Sequence, residues 1–338
     1  MGAPFPESLA VVGAGAWGTA LASVLAERYR TVRLWVFEPD LAEQMARTRE
    51  NAVYLPGVRL PEPVRPTSSL ESALAGQRLV ILVVPSHVFR GVLRQAREWL
   101  APDALVVSAT KGIEVDGLAT MSGVMRELLA DGPARQAVLS GPSFAREVAE
   151  RRPTAVVAAA ASAEVAVAAQ TALSGGPLRI YANTDPVGVE LCGAVKNVIA
   201  IAAGVVDGLG LGTNARAALV TRGLAEITRL GLALGGKAPT FAGLAGMGDL
   251  ILTCTGDLSR NRRLGLDLAR GGGLEELLGT SRSVAEGVNT CRAILRLAEK
   301  HEIEMPICRA VHRVLFEGER PREAVDRLMS RDLRFEAE

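Results

Sequence analysis

The sequence predicts an α/β chain in which a mainly parallel sheet fills the N-terminal half and an all-α domain follows. Three observations carry this reading. Short β-rich apolar runs alternate with helical stretches from residue 9 to about 182, a glycine-rich turn joins the first run to an apolar helix, and beyond Asn183-Thr-Asp-Pro186 only helical periodicity remains.

The apolar runs are Leu9–Gly13, Val32–Phe37, Leu79–Val84, Ala104–Ala109, Ala137–Ser140, Thr154–Ala160 and Leu178–Tyr181, which predict seven strands. The second half reads as helices near 187–205, 214–234, 239–251, 260–270, 290–301, 306–317 and 321–330, with Gly235-Gly236 and Gly271-Gly272-Gly273 closing two of them. A short hinge near 185 would divide the chain into residues 1–185 and 186–338, and the cleft between the two parts is where a ligand is expected.

Composition narrows the class. A chain of 338 residues, 49% apolar, is long enough for two cores without staples. No window holds the roughly 18 unbroken apolar residues of a membrane span. Met1 to Leu9 has neither a basic segment nor an apolar run, so a cytoplasmic protein is expected. The cysteines at 192, 254, 291 and 308 form no C-x-x-C pair and read as reduced thiols. A formal charge of +1, with no basic tail, gives a nucleic acid nothing to bind. The histidines at 87, 301 and 312 show no ligand spacing, so no metal is expected.

Gly13-Ala-Gly15-Ala16-Trp17-Gly18 follows the first strand directly and opens an apolar helix, the context that gives G-x-G-x-x-G its meaning. Gly13 permits the tight turn, Gly15 clears the approach of a pyrophosphate, and Gly18 lets helix and strand pack closely, while the helix N-terminus offers free amides to the phosphates. Glu38 stands 20 residues after Gly18, at the end of the second strand, where an acidic side chain meets the ribose hydroxyls. The first domain is therefore predicted to be of Rossmann type and to bind NAD or NADP.

Two loops at strand ends carry candidate chemistry, Ser108-Ala-Thr-Lys111-Gly112 and Ser140-Gly141-Pro-Ser143-Phe144. Both lie at the carboxyl edge where doubly wound sheets place ligands, although either could be an ordinary turn. Lysine is scarce here, with four among 38 basic residues, and Lys196 sits in a helix apolar on nearly every face. It could snorkel to water along its stem. It could equally be an amine whose pKa burial lowers toward neutrality, which a proton carrier between hydroxyl and ketone requires and arginine cannot provide.

Gly246-Met-Gly-Asp249 is followed by Ser259-Arg260-Asn261-Arg262-Arg263. Ser259 is a good N-cap, but three arginines in a first helical turn oppose the macrodipole. Either an anion sits among them, or they turn outward to pair with acids such as Asp257 or Asp267.

These segments, with Val84-Pro-Ser-His87, Gly193-Ala-Val-Lys-Asn197 and Asn214-Ala-Arg-Ala-Ala218, occur in one order along nearly the whole chain, and together they resemble the successive motifs of bacterial NAD(P)-dependent glycerol-3-phosphate dehydrogenase. The resemblance implies interconversion of dihydroxyacetone phosphate and glycerol 3-phosphate by a soluble homodimer that feeds phospholipid synthesis. It makes Lys196 the proton acceptor in the oxidation, with Lys111 and Asp249 beside it. It gives Lys111, Gly141, Ser143, Lys196, Asp249, Ser259, Arg260 and Asn261 to the substrate. It lays Gly13, Gly15, Ala16, Trp17, Gly18, Phe37, Lys111, Ala145, Arg260, Val284 and Glu286 along the dinucleotide. Phe37 departs from the basic residue that many relatives carry and offers a 2′-phosphate no charge, so NADH is expected to serve at least as well as NADPH. Two other readings compete: a β-hydroxyacid dehydrogenase of similar plan, which substrate profiling separates, and a dinucleotide-binding redox sensor, which would need neither Lys196 nor Asp249.

Overall fold

The first half of the chain folds into eight strands, β1 (Ser8–Val12), β2 (Thr31–Trp35), β3 (Val64–Thr67), β4 (Leu79–Leu82), β5 (Leu105–Ser108), β6 (Arg135–Ser140), β7 (Thr154–Ala159) and β8 (Leu178–Asn183). The structure is a computed structural model that describes residues 7–130, 135–279, 286–333 and 335. The strands make one sheet in the order β3-β2-β1-β4-β5-β6-β7-β8. All neighbours run parallel except β6 and β7, which pair antiparallel with Leu139 opposite Ala158. The central strands β4 and β5 are buried along their whole length, as continuous apolar runs covered on both faces must be.

The sequence predicts seven strands, and β3 is the one it misses. Its four residues Val-Arg-Pro-Thr carry a proline and too little apolar character to register as a strand. Proline is tolerated because β3 is the edge of the sheet, where a missing donor breaks no second ladder.

Helices cover the two faces: α1 (Ala16–Leu25), α2 (Pro39–Thr48), α3 (Leu70–Leu74), α4 (Ser86–Ala96), α5 (Met121–Leu128), α6 (Ala145–Ala149) and α7 (Ala163–Leu173). One apolar core lies on one face, around Leu9, Leu21, Leu34 and Met45, and another on the opposite face, around Phe89, Leu93, Leu74 and Met125.

The helical domain begins with α8 (Pro186–Gly208) and α9 (Gly212–Ala233) and continues through α10 (Ala238–Phe241), α11 (Asp249–Thr255), α12 (Arg260–Ala269), α13 (Leu274–Gly279), α14 (Glu286–Lys300), α15 (Pro306–Phe316) and α16 (Pro321–Met329). Two of these boundaries correct the sequence reading. The helix expected over 239–251 is broken, because Gly243 is extended and a single wide turn, closed by Gly248 N to Gly243 O at 3.1 Å, precedes α11. The helix expected to start near 290 is already formed at Glu286, where the described residues resume.

Helix α8 is the axis of this domain. Asp185 caps it, accepting from Gly188 N at 2.8 Å and from Lys237 N at 2.7 Å, and Pro186 opens its first turn. Although α8 is long and apolar enough to cross a membrane, it is buried on nearly every face as the core helix. It crosses α12 at close range: a Cβ on Gly204 would fall 1.9 Å from Arg262 O, and one on Gly265 would fall 1.9 Å from Ile201 O. That approach sets the residues after Lys196 against those after Ser259. All four cysteines are free and buried.

Candidate active site

Lys196 projects from α8 with 7% of its side chain exposed, and its ammonium donates to Asp249 Oδ1 at 2.5 Å and to Thr253 Oγ1 at 2.8 Å. Asp249 opens α11 and its side chain is 1% exposed. Its second oxygen, Oδ2, accepts from Lys111 Nζ at 2.7 Å, and Lys111 also donates to Gly141 O at 2.9 Å. One carboxylate thus joins two lysines that come from the sheet edge and from the helical core. Burial pushes the Lys196 amine down to about 8; the carboxylate of Asp249 opposes that shift, and the charge of Lys111 assists it. The snorkelling alternative does not describe this side chain, since Nζ ends on buried partners.

The loops place the other expected residues around this centre. Gly141 holds φ +140°, and a Cβ there would meet the Val156 backbone at 3.0 Å. Ser143 Oγ donates to Gly141 O at 2.9 Å. Ser259 caps α12 by accepting from Arg262 N at 3.2 Å. Asn261 is buried: its Nδ2 donates to Asn197 Oδ1 at 3.0 Å and its Oδ1 accepts from Gly287 N at 3.1 Å, which ties α12 to α8 and α14.

The arginine run divides between its two readings. Arg262 pairs with Asp207 at 2.8 Å and with Asp257 at 3.0 Å, and Arg263 donates to Asp257 O at 3.2 Å. Arg260, in the same first turn, makes no hydrogen bond or ion pair among the described residues, and the charge facing it is that of Glu286. One uncommitted guanidinium beside a helix N-terminus is a place for an anion.

At the glycine turn, Gly13 adopts φ +116° and a Cβ would lie 2.5 Å from Val83 O, while a Cβ on Gly18 would lie 1.9 Å from Gly13 O. A Cβ on Gly15 would point into open space, so the turn leaves a cradle at the N-terminus of α1, next to Ala16 and Trp17. Among the described residues, Trp17 Nε1 is buried without a partner. These features fit the pyrophosphate of a dinucleotide. Glu38 is the residue before α2, just beyond β2, and its Oε1 accepts from Tyr54 OH at 2.8 Å. Phe37 is 75% exposed and meets Trp35 edge-on at 6.1 Å. Arg33 points elsewhere, donating to Ser72 O and Ala75 O at 2.8 and 3.0 Å. Ala145 opens α6. Glu286 accepts from Ser86 Oγ at 2.8 Å, and burial raises its pKa. Val284 lies outside the described residues.

Two contributors escaped the sequence reading. Thr253 stands four residues after Asp249, one turn along the same face of α11, and this spacing was a usable signal. Ser86 lies inside the Val84–His87 motif, but only the fold brings it to Glu286 across 200 residues of sequence.

Comparison with known proteins agrees along the whole chain. Residues 8–166 match the family model described as NAD-dependent glycerol-3-phosphate dehydrogenase N-terminus, and residues 185–326 match the corresponding C-terminus. A glycerol-3-phosphate dehydrogenase [NAD(P)+] of Geobacter sulfurreducens is 54% identical over 98% of this chain and 99% of its own length. A namesake from Syntrophobacter fumaroxidans is 53% identical over 98% and 97%. The crystal structure of glycerol-3-phosphate dehydrogenase from Coxiella burnetii superposes with a TM-score of 0.93 at 43% identity, covering 97% of this chain and all of that one. With both family models matched in order over a sheet domain and a helical domain, the chain belongs to the NAD-dependent glycerol-3-phosphate dehydrogenase family.

Proposed function

We propose that the chain interconverts dihydroxyacetone phosphate and sn-glycerol 3-phosphate, with Lys196 as the proton carrier. The observation that carries this reading is the buried Lys196 held between Asp249 and Thr253, with its amine pushed down to about 8. An acid or base that works near neutrality needs a pKa near the operating pH.

When bound, the nicotinamide supplies or accepts the hydride. Lys196 gives a proton to the oxygen of the ketone as it becomes an alkoxide, and takes it back in the oxidation. Asp249 orients the Lys196 amine by accepting from it, and Lys111, anchored on Gly141 O and Asp249, adds positive charge near that oxygen. Arg260 and the N-terminus of α12 grip the substrate phosphate, with Ser259 and Asn261 fixing the turn. The cradle at Gly13–Gly18 and the N-terminus of α1 hold the pyrophosphate, Glu38 accepts from the adenosine ribose, and Phe37 offers its exposed ring beside it.

The same reading places the division of the chain at 185/186, where β8 has ended and Asp185 caps α8. It makes the protein a cytoplasmic homodimer that supplies glycerol 3-phosphate for phospholipid synthesis. Following the consumption of NADH and of NADPH by absorbance, with dihydroxyacetone phosphate against a panel of 2-keto and 3-keto acids, tests the reaction. Turnover confined to the carboxylate substrates would overturn it, and sedimentation of the purified chain tests the dimer.

A further inference from the structure

Glu190 lies on α8 six residues before Lys196, 6% exposed, with no cation at ion-pair distance among the described residues. Its Oε1 accepts from Ser122 N at 2.8 Å, and its Oε2 accepts from Ser122 Oγ. Ser122 is in the first turn of α5, next to the cap residue Thr120, whose hydroxyl lies 3.1 Å from Ser122 Oγ and accepts from Gly123 N at 3.3 Å. The carboxylate therefore grips the N-terminus of a sheet-domain helix from the helical domain's axis.

What that grip holds is the segment carrying Lys111. From Lys111 the chain runs to Thr120 in a loop closed by pairing of Ile113 with Thr120 and by Glu114 N to Ala119 O at 2.9 Å. Ile113 is buried with the core of the helical domain. One turn along α8 from Glu190, a Cβ on Gly193 would meet Ser140 Oγ at 2.7 Å and Lys111 Cγ at 3.6 Å, so the helix lies directly against the lysine stem. Two further ties, Arg90 to Glu114 and Arg296 to Val115 O, hold the outer side of the loop. Neither of them reaches α8.

A buried carboxylate without a cation costs folding free energy, and two donors from one serine offset only part of it. Burial accordingly pushes the Glu190 carboxyl up to about 7, opposed first by the Ser122 hydroxyl and amide, then by the Thr120 hydroxyl, and last by the charge of Arg126 one turn further along α5. A neutral residue would fill the space at lower cost. We infer that Glu190 is a positioning residue: by holding the start of α5 from the helix that carries Lys196, it fixes Lys111 relative to Lys196 so that both reach the two oxygens of Asp249. The inference rests on the role proposed above for Lys111.

A double-mutant cycle on the full-length protein tests it, with kcat and KM measured for Glu190→Ala, Lys111→Ala and the pair. Glu190→Ala should lower kcat by about 10-fold, a misplacement cost, with the cofactor KM nearly unchanged. In the Lys111→Ala background the same change should cost less than about 2-fold, because the group it positions is gone. Glu190→Gln should restore most of kcat, since an amide still accepts from Ser122 N and donates to Ser122 Oγ. Equal losses in the two backgrounds, a loss confined to KM, or a glutamine as poor as alanine would overturn the inference. Lys111→Ala with full kcat would instead remove the role of Lys111, and the positioning role with it. Should Glu190→Ala fail to fold, Ser122→Ala, which cuts the hydroxyl half of the grip, takes its place in the cycle with the same criteria.

Discussion

Asp249 touches both lysines of the site at once, Lys196 through Oδ1 at 2.5 Å and Lys111 through Oδ2 at 2.7 Å. Its charge is what keeps the Lys196 amine from falling further than about 8, because burial and Lys111 both push it down. Asp249→Asn should therefore lower the Lys196 pKa as well as misorient the amine. The expected outcome is a kcat reduced by about 10²-fold, with the acidic limb of the oxidation profile moved to lower pH. A limb that stays in place would show that Asp249 does not set the charge state of Lys196.

The direction of pH dependence follows from which form of Lys196 each reaction needs. Oxidation of glycerol 3-phosphate needs the neutral amine, so kcat/KM should rise as pH increases through about 8 and then level off. Reduction needs the ammonium, so kcat/KM should fall over the same interval. Initial rates in both directions between pH 6 and 10, roughly ten points each, check the mirror relation.

Two buried carboxyls give stability a pH dependence of its own. Burial pushes Glu190 and Glu226 up to about 7, although Glu226 accepts from Ile307 N at 2.7 Å and from Cys308 N at 3.2 Å at the start of α15. Because these folded values lie above the unfolded one of 4.5, the folded state binds more protons between about 4.5 and 7. The contribution of each is fully present below 4.5 and is lost as pH rises through about 7. Denaturant melts of wild type and Glu226→Gln should converge in their pH dependence above about pH 8 and separate below pH 7, and parallel curves throughout would contradict the assignment.

Cofactor choice turns on the end of β2. Glu38 is held by Tyr54 at 2.8 Å, Phe37 carries no charge, and Arg33 is committed to backbone carbonyls on α3 and just beyond it. NADH should accordingly have a kcat/KM at least equal to that of NADPH. Phe37→Arg should shift the ratio toward NADPH, and Tyr54→Phe, by freeing Glu38, should weaken NADH alone. A wild-type preference for NADPH above about tenfold, or 1.4 kcal/mol, would contradict this account.

The proposed grip of Arg260 on the substrate phosphate rests on the other two arginines of the run, Arg262 and Arg263, being already paired. Arg260→Ala should cost about 2 kcal/mol in kcat/KM for dihydroxyacetone phosphate, the scale of a charge-assisted hydrogen bond. It should leave the poor turnover of dihydroxyacetone nearly unchanged, measured with cofactor at saturation. Equal losses on both substrates would show that Arg260 does not read the phosphate.

Much of this architecture was legible because its signals are local. The glycine turn, the alternating runs and a lysine in an otherwise apolar helix are each visible within about ten residues. What stayed hidden is either too short or too distant. Strand β3 has four residues and a proline, and it exists because β2 offers an edge. The break at Gly243 lies in a stretch whose apolar periodicity continues across it, and the wide turn folds so tightly that a Cβ on Gly246 would fall 2.0 Å from Phe241 O, a local requirement for glycine that hydrophobic periodicity does not report. Glu190 has its partner 68 residues away, so a sequence window shows only an acid in an apolar helix. The arginine run was ambiguous for the same reason, since Asp207, which claims Arg262, lies on another helix.

The central claim is that Lys196 carries the proton and does not merely supply charge. Steady-state reduction of dihydroxyacetone phosphate by Lys196→Arg, beside Lys196→Ala, tests it most directly. The account predicts that both variants bind cofactor normally and lose kcat by about 10²-fold or more, because a guanidinium keeps the charge but cannot release a proton at this pH. An arginine variant that retained most of the wild-type kcat would contradict it.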